Sequence, residues 1–462
     1  MSDANGAGAT LRLADYATRA SWDDLGEPVV RHAMRSFVNV FGCAMGGSQH
    51  RAIEIAERSF CNQGPSGSSI VIGRRRRTGA MHSALLNALS SSVYAFDDGH
   101  AEAIVHPSSP VWAALIGLSG SVQAPIDGRQ FLLAFSLGIE IVCRLSKSIS
   151  VAPAQAPVGW SQSGITGSIG AAAACSKLIN LDMHETAAAM GIAASLASGL
   201  RVAHGTMAMH LLPAQAAMLG VEAALLAAGG FTGPTQALEG QYGFLSLHTD
   251  KSVADALTGD LGQHYELLAN CLKAYPCGIV IHSVIDACLQ LRQKHGFDPS
   301  NIAAIRITVS KTTAALANRQ HPRTEFEAQV SIQHWAAASL LEGAAGIEQG
   351  MPNAIDDPTI GQLREKCQVI VDPAMSSSTA VVALEFKQGP VLEYRVDQYR
   401  GSLSKPLSDD DINRKYLEQC EPIIGAIAAQ SALDHCWSLP ATSDVKELFG
   451  KIHRETGFGP RQ

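Results

Sequence analysis

Between Tyr94 and Pro110 the chain reads YAFDDGHAEAIVHPSSP, which gathers Asp97, Asp98, His100, Glu102 and His106 within ten residues. Carboxylates and imidazoles collected at the end of an apolar helix can bind, orient and move a proton. Two other readings of the same cluster stay open. It could ligate a metal, although His100 and His106 stand six residues apart across a loop instead of at i and i+4 of one helix. It could also be a solvated loop whose aspartates cap helices. A second cluster, SGLRVAHGTMAMH, sets Arg201, His204 and His210 in an otherwise apolar run. The guanidinium fork of Arg201 matches a carboxylate; an internal ion pair would use it equally well, and a lone histidine in such a run can be a satisfied core residue. The third cluster, LKAYPCGIVIH, carries Lys273, Tyr275 and His282. At a cleft, Lys273 would neutralise a carboxylate or an enolate; at a plain domain junction it would only be exposed.

The elements that must position these residues are helical from Leu11 to about Ala269. Val29, Val30, Met34, Phe37, Val38 and Phe41 recur at three and four residues, which predicts a helix over Pro28–Gly47. Further helices are expected over Met81–Val93, Val111–Ser119, Gly128–Ser146, Gly167–Leu178, His184–Ser198, Pro213–Ala228 and Val253–Leu257. The alanine-rich runs GAAAACSKLI and ETAAAMGIAASLASG suit central helices that approach closely. Gly164, Gly167 and Gly170 read as a close-packing stripe; no strand precedes them, so a dinucleotide-binding turn is excluded. Near Lys273 the texture changes. A helix is expected over Ile279–Lys294 and another over Val330–Leu341. IAAIRITVS, QVIVDP and TAVVALEFKQG–VLEYRVDQ alternate as strands, with a turn at Gly389–Pro390. Ser408 is placed to cap a last long helix over Asp409–Ala428. The expectation is a mostly α fold: a large all-helical domain from 1–269 and 406–462, and a smaller α+β domain, 270–405, with an antiparallel sheet.

The chain has 462 residues, of which 46% are hydrophobic and 17% charged, a balance that excludes disorder and coiled coil. Thirty-five basic against 42 acidic residues give a net charge of −7, so no field attracts nucleic acid. The ten cysteines include no CxxC, and Cys271 and Cys277 lie six apart, which argues against an iron–sulfur cluster, a structural zinc site or a disulfide framework. MSDANGAGAT has neither a basic nor an apolar signal region. The uncharged stretches Ser148–Ser176 and Val202–Val221 are broken by prolines and polar residues, so no membrane span is expected. A cytoplasmic protein without metal is the expectation.

These clusters also carry a resemblance. The sequence resembles the MmgE/PrpD family of 2-methylcitrate dehydratases, cis-aconitate decarboxylases and iminodisuccinate epimerases. The likeness runs through VNVFGCAMGG, AMHSALLNALSSSVYAFDDGHAEAIVHPSSP, GWSQSGITGSIGAAAACSKLINLD, SGLRVAHGTMAMHL, GGFTGPTQALEGQYGF, LKAYPCGIVIHSVIDA, SIQHWAAASLLEG and KPLSDDDINRKY, in family order. The resemblance implies a cofactor-free, metal-free enzyme with a helical domain and a small α+β lid. It also implies a homodimer with its active site in the interdomain cleft, acting on small di- or tricarboxylates. By the same resemblance the family's paired aspartates fall on Asp97 and Asp98, its HP histidine on His106, its KxYP lysine on Lys273 and its SGLR arginine on Arg201. Four positions depart: Ser161 and Met209 stand where relatives carry histidine and lysine, His334 where they carry tyrosine, and His204 where they carry phenylalanine. A pocket rebuilt in this way suits a dicarboxylate or a less charged acid.

The leading expectation is an acid–base lyase, a dehydratase or decarboxylase. An epimerase inverting a carbon α to a carboxylate is the alternative, and a non-catalytic ligand-binding protein a further one. His106, Asp97, Lys273 and His334 are the expected catalytic residues, with His106 the foremost acid–base group. Asp98, His100, Arg201, His204, Ser161 and Tyr275 are expected to bind substrate. Asp97, His106, Arg201 and Lys273 should converge in one cleft, since each lies near the end of an apolar run.

Overall fold

The computed structural model of the chain describes residues 8–61, 67–100, 102–103, 105–150, 159–249 and 257–458. It is mostly α, 60% helical with 9% strand. Four helices, Ala80–Ser92, Ser108–Ser119, Gly167–Leu178 and Ala208–Ala228, pack against one another at the centre of the N-terminal part. Every residue of Ser108–Ser119 is buried, so that helix shows no polar face and is wrapped on all sides. Small residues permit the approach. A Cβ on Gly170 would lie 2.3 Å from Val142 Cγ2 and 2.6 Å from the Gly138 carbonyl oxygen, atoms of the crossing helix Gly128–Ser150. The glycine stripe is therefore a packing feature. Gly170→Ala should destabilise the fold by about 1–3 kcal/mol through overpacking, read as a lower midpoint in chemical denaturation. Ala208–Ala228 is long and apolar enough to cross a membrane by composition, yet 56% of its most apolar window is buried among its neighbours.

Residues from Tyr275 to Val396 form an apolar cluster of their own. A four-stranded sheet lies there in the order Cys367–Val371, Ile302–Val309, Ala380–Phe386, Leu392–Val396. The helices His282–His295 and Ile332–Glu342 pack on it. The sheet is mixed, which corrects the antiparallel expectation: Cys367–Val371 runs parallel to Ile302–Val309. The helices between those two strands provide the long crossover that a parallel return needs, and period-two alternation carries no information on a neighbour's direction. The last two strands pair antiparallel around Gly389, whose φ is +115°.

Ser408 caps the next helix through a capping box with Asp411. That helix, Asp409–Ile424, packs along Glu27–Gly47. It stops short of the expected Ala428 because Gly425 takes φ +78°, and Ala426–Trp437 continues in a new direction. Most of the helix expected at Val253–Leu257 lies outside the described residues.

An element absent from the periodicity joins the two parts of the chain. Asp98–His100 and Asn270–Leu272 form a two-stranded antiparallel ribbon, with Asp98 opposite Leu272 and His100 opposite Asn270. It brings the acidic cluster alongside the lysine segment from about 170 residues further along the chain.

Candidate active site

The helix Ala80–Ser92 ends in a turn where Ala95 adopts φ +49°, a left-handed conformation that is costly for any residue with a Cβ. The turn directs the Ala95 carbonyl at Lys273, whose Nζ donates to it at 2.8 Å and to Asp97 Oδ1 at 2.8 Å. Both members of this ion pair are nearly enclosed, their side chains 1% and 4% exposed. Burial would raise the Asp97 carboxyl, but the Lys273 ammonium and His106 outweigh it and hold the pKa below the usual aspartate range. Asp97 is therefore the anion of the site.

Asp98 differs from its neighbour. Burial and the adjacent Asp97 charge push it up to about 6, against hydrogen bonds from Ser108 and Asn270. Ser108 Oγ and, at 2.6 Å, Asn270 Nδ2 both donate to Asp98 Oδ2.

His106 follows an extended stretch. Its backbone N–H donates to Ser163 Oγ at 2.9 Å, which ties it to the segment beginning at Trp160. Its Nδ1 is hydrogen-bonded to the backbone carbonyl of Asp98 and lies 3.8 Å from Asp97 Oδ1. A carbonyl only accepts, so Nδ1 carries the proton and Nε2 of the neutral ring is a lone-pair acceptor. One-third of the side chain (33%) stays open to the cleft. Enclosure by the cleft walls and the Lys273 charge together lower the His106 pKa, against the pull of Asp97. The ring is thus a neutral base at neutral pH. The acid limb of kcat/KM should accordingly lie below pH 6.5, with activity lost as the pH falls and the ring takes a proton; a pH profile from about 4 to about 8 checks it.

Arg201 reaches the cleft from the far wall. Its backbone N–H donates to the Gly159 carbonyl at 2.8 Å, and its Nη2 contacts the Trp160 carbonyl at 3.3 Å. Its Nε is buried with no partner among the described residues. Burial lowers the Arg201 pKa, and no carboxylate opposes it. His204 is pushed down to about 4 by burial, with Arg201 and His106 adding to it. His210, down to about 3 through burial, bonds Gln329 Oε1 through Nε2 at 3.0 Å.

Asp97, His106, Arg201 and Lys273 all line one cleft of about 120 Å³, together with Ser161, His204, Met209 and His210. Ile279, Val280, Leu316, Ala317 and Val330 close the other side with an apolar wall. Four expected site residues lie elsewhere. Asp98 faces Ser108 and Asn270, one layer behind the cleft. His100 Nε2 meets Glu266 Oε2 at 3.2 Å, while its Nδ1 accepts the Glu102 and Ala103 N–H groups, so it shapes the turn. Glu266 is in turn held down to about 2 by His100 and Lys147. The Tyr275 hydroxyl bonds the Asp286 carboxylate on the neighbouring helix. His334 is fully buried, with Nε2 on the Gln349 carbonyl at 2.7 Å and Arg364 beside Nδ1. Its place in the first turn of a covered helix turns the ring into the smaller core.

Asp97, Asp98 and His106 do present ligand atoms within 4.8 Å of one another. The Lys273 ammonium sits on Asp97 Oδ1, Ser108 and Asn270 donate to Asp98 Oδ2, and His106 Nδ1 spends its proton on a carbonyl, while Asp98 Oδ1 has no partner among the described residues. The donor set does not fit a metal ion, because a cation there would face an ammonium at hydrogen-bond range.

Residues 11–256 match the MmgE/PrpD N-terminal domain, and residues 275–439 the MmgE/PrpD C-terminal domain. The cis-aconitate decarboxylase-like protein oryM of Aspergillus oryzae is 27% identical over 96% of this chain and 97% of its own length. The cis-aconitate decarboxylase of Mus musculus is 28% identical, covering 85% of this chain and 82% of that protein. That of Homo sapiens is 27% identical, over 92% and 90%.

Proposed function

The chain belongs to the MmgE/PrpD family, and from that premise we propose that it is an acid–base lyase, removing carbon dioxide or water from a small carboxylate. One juxtaposition carries the reading: Arg201, a half-buried cation with no carboxylate partner among the described residues, shares a cleft with His106, whose Nε2 is free to exchange a proton.

Arg201 takes a substrate carboxylate in its open fork. The bond that breaks is at the adjacent carbon, and its electron pair delocalises toward a carboxylate. In decarboxylation that pair is left by departing carbon dioxide, and the neutral Nε2 takes a proton from solvent and passes it to the carbon, returning to its neutral form. In dehydration the neutral Nε2 removes the proton, and the imidazolium so formed gives it to the departing hydroxide, which leaves as water. In both cases Asp97, 3.8 Å from Nδ1, stabilises the imidazolium that forms. Lys273 keeps Asp97 anionic and adds positive potential at the cleft floor. The names of the relatives support decarboxylation as the first member of the pair.

The cleft also supports a dicarboxylate or a less charged acid. Lys273 is already neutralised by Asp97, which leaves Arg201 as the one uncompensated cation among the described lining residues. Ser161 and Met209 add no charge, and His204, held near 4, is neutral at physiological pH. Turnover of a panel of citrates, aconitates, tartrates and smaller acids, followed by carbon dioxide release and product NMR, tests the reading; no product from any of them would contradict it. On the acid that reacts, Arg201→Gln should raise KM at least ~10-fold with a smaller effect on kcat, as expected for a charged hydrogen bond of about 1.5–3 kcal/mol made in ground and transition states alike.

A further inference from the structure

Along the helix Asp409–Ile424 the buried positions are Ile412, Lys415, Tyr416, Gln419 and Cys420. A lysine on that stripe is anomalous, because an ammonium removed from water costs heavily unless every donor is satisfied. Lys415 is 6% exposed, and its Nζ donates to Asn39 Oδ1 at 2.7 Å, the Phe96 carbonyl at 2.5 Å and the Lys273 carbonyl at 2.8 Å. The same nitrogen lies 3.9 Å from the centre of the Phe96 ring. Three N–H donors thus meet three acceptors. Asn39, held by the lysine, uses its amide to donate to the Asp97 carbonyl at 3.0 Å.

Two of these acceptors belong to the segments that carry the cleft's ion pair: Phe96 precedes Asp97, and the third bond is to Lys273 itself. Lys415 does not line the cleft. We propose that Lys415 is a positioning residue, its ammonium clamping the backbone on both sides of the Asp97–Lys273 pair and so setting that pair against His106. This rests on the reading of His106, Asp97 and Lys273 as the acid–base machinery.

Burial brings the Lys415 pKa down to about 8; the Cys43 thiol, Asp97 and Asp98 raise it, and the Lys273 ammonium lowers it. Phe96 supplies only its ring and carbonyl, and the Gln419 amide donates to the Lys415 carbonyl one turn along the same helix. As the pH rises through that value the ammonium becomes an amine with two N–H groups for three acceptors. The clamp then loosens, while Arg201, on the opposite wall, still holds substrate.

The test compares wild type, Lys415→Met and Lys415→Arg by kcat and KM against pH, beside the His106 ring signal followed by NMR without substrate. Wild type should lose kcat above about pH 8 at nearly constant KM, and its His106 signal should show an inflection at the same pH. Folded Lys415→Met should lose at least ~10-fold in kcat at neutral pH with KM changed less than about threefold, and should lack the inflection. Lys415→Arg, charged throughout, should keep activity to higher pH. If the variants fail to fold, the wild-type inflection alone decides, and a His106 signal flat through about pH 8 overturns the proposal. So does a folded Lys415→Met with wild-type kcat, or an inflection that survives in Lys415→Arg. An inflection in a wild type that turns over no acid would sustain the clamp and refute the lyase reading.

Discussion

His106→Gln should lower turnover by at least ~10²-fold, the lower end for losing one general acid–base group, and leave the melting temperature close to wild type. The substitution removes the free Nε2 lone pair and keeps most of the side-chain bulk. The position is one-third exposed to the cleft, so little apolar burial is lost. The ring's one strong tether, Nδ1 to the Asp98 carbonyl, is a bond that a glutamine amide can reproduce. KM should change little, because Arg201 anchors the substrate from the other wall. The competing role, a ring that merely fills space beside Gly99, predicts the reverse: a lowered melting temperature and unchanged turnover per folded molecule. Melting curves run beside the kinetics separate the two.

Lys273→Met should abolish most activity and also destabilise the fold, by about 3–5 kcal/mol. The cost arises because Asp97 would remain as a buried, uncompensated anion. Its charge is sustained by Lys273 and His106 against burial, so without the lysine the carboxyl titrates upward and the site takes up a proton on folding. The double variant Lys273→Met with Asp97→Asn removes both charges and should recover much of the lost stability, since replacing a whole buried pair is often close to neutral. It should recover none of the activity. Denaturant midpoints of the wild type, both single variants and the double variant give the coupling directly. Should Lys273→Met unfold at the wild-type midpoint, the enclosed Asp97–Lys273 pair does not exist in solution.

Much of the helical part is legible from periodicity alone. Gly167–Leu178 has the bounds its sequence suggests, and Ser408 caps the helix that begins at Asp409. The site is legible only where chemistry and spacing coincide. Asp97, His106, Arg201 and Lys273 stand out as polar residues ending apolar runs, and all four line the cleft. The ribbon that aligns two of their segments is invisible at the level of sequence, because strands of three residues are too short to show alternation. Asp98, His100, Tyr275 and His334 have the residue types of a site, but types do not give direction: each side chain turns to a partner in the layer behind. Lys415 is the opposite case. Nothing about a lysine in KPLSDDDINRKY suggests a site, yet its place between Ile412 and Tyr416 on the apolar stripe marks a charge that has to be buried and satisfied. Gln329 carries no such local mark, since its partners are His210, 119 residues away, and the Val93 carbonyl.

In the proposed chemistry His106 moves a proton at a carbon whose bond to carbon dioxide or hydroxide is broken. Proton NMR of the small-carboxylate panel in deuterated buffer reads that event directly. One acid should lose carbon dioxide or water in the wild type, with any carbon protonated on decarboxylation carrying solvent deuterium, and the rate should be at least ~10²-fold lower in His106→Gln. A substrate that gains deuterium while keeping all its carbon and oxygen would contradict the lyase and establish an isomerase instead.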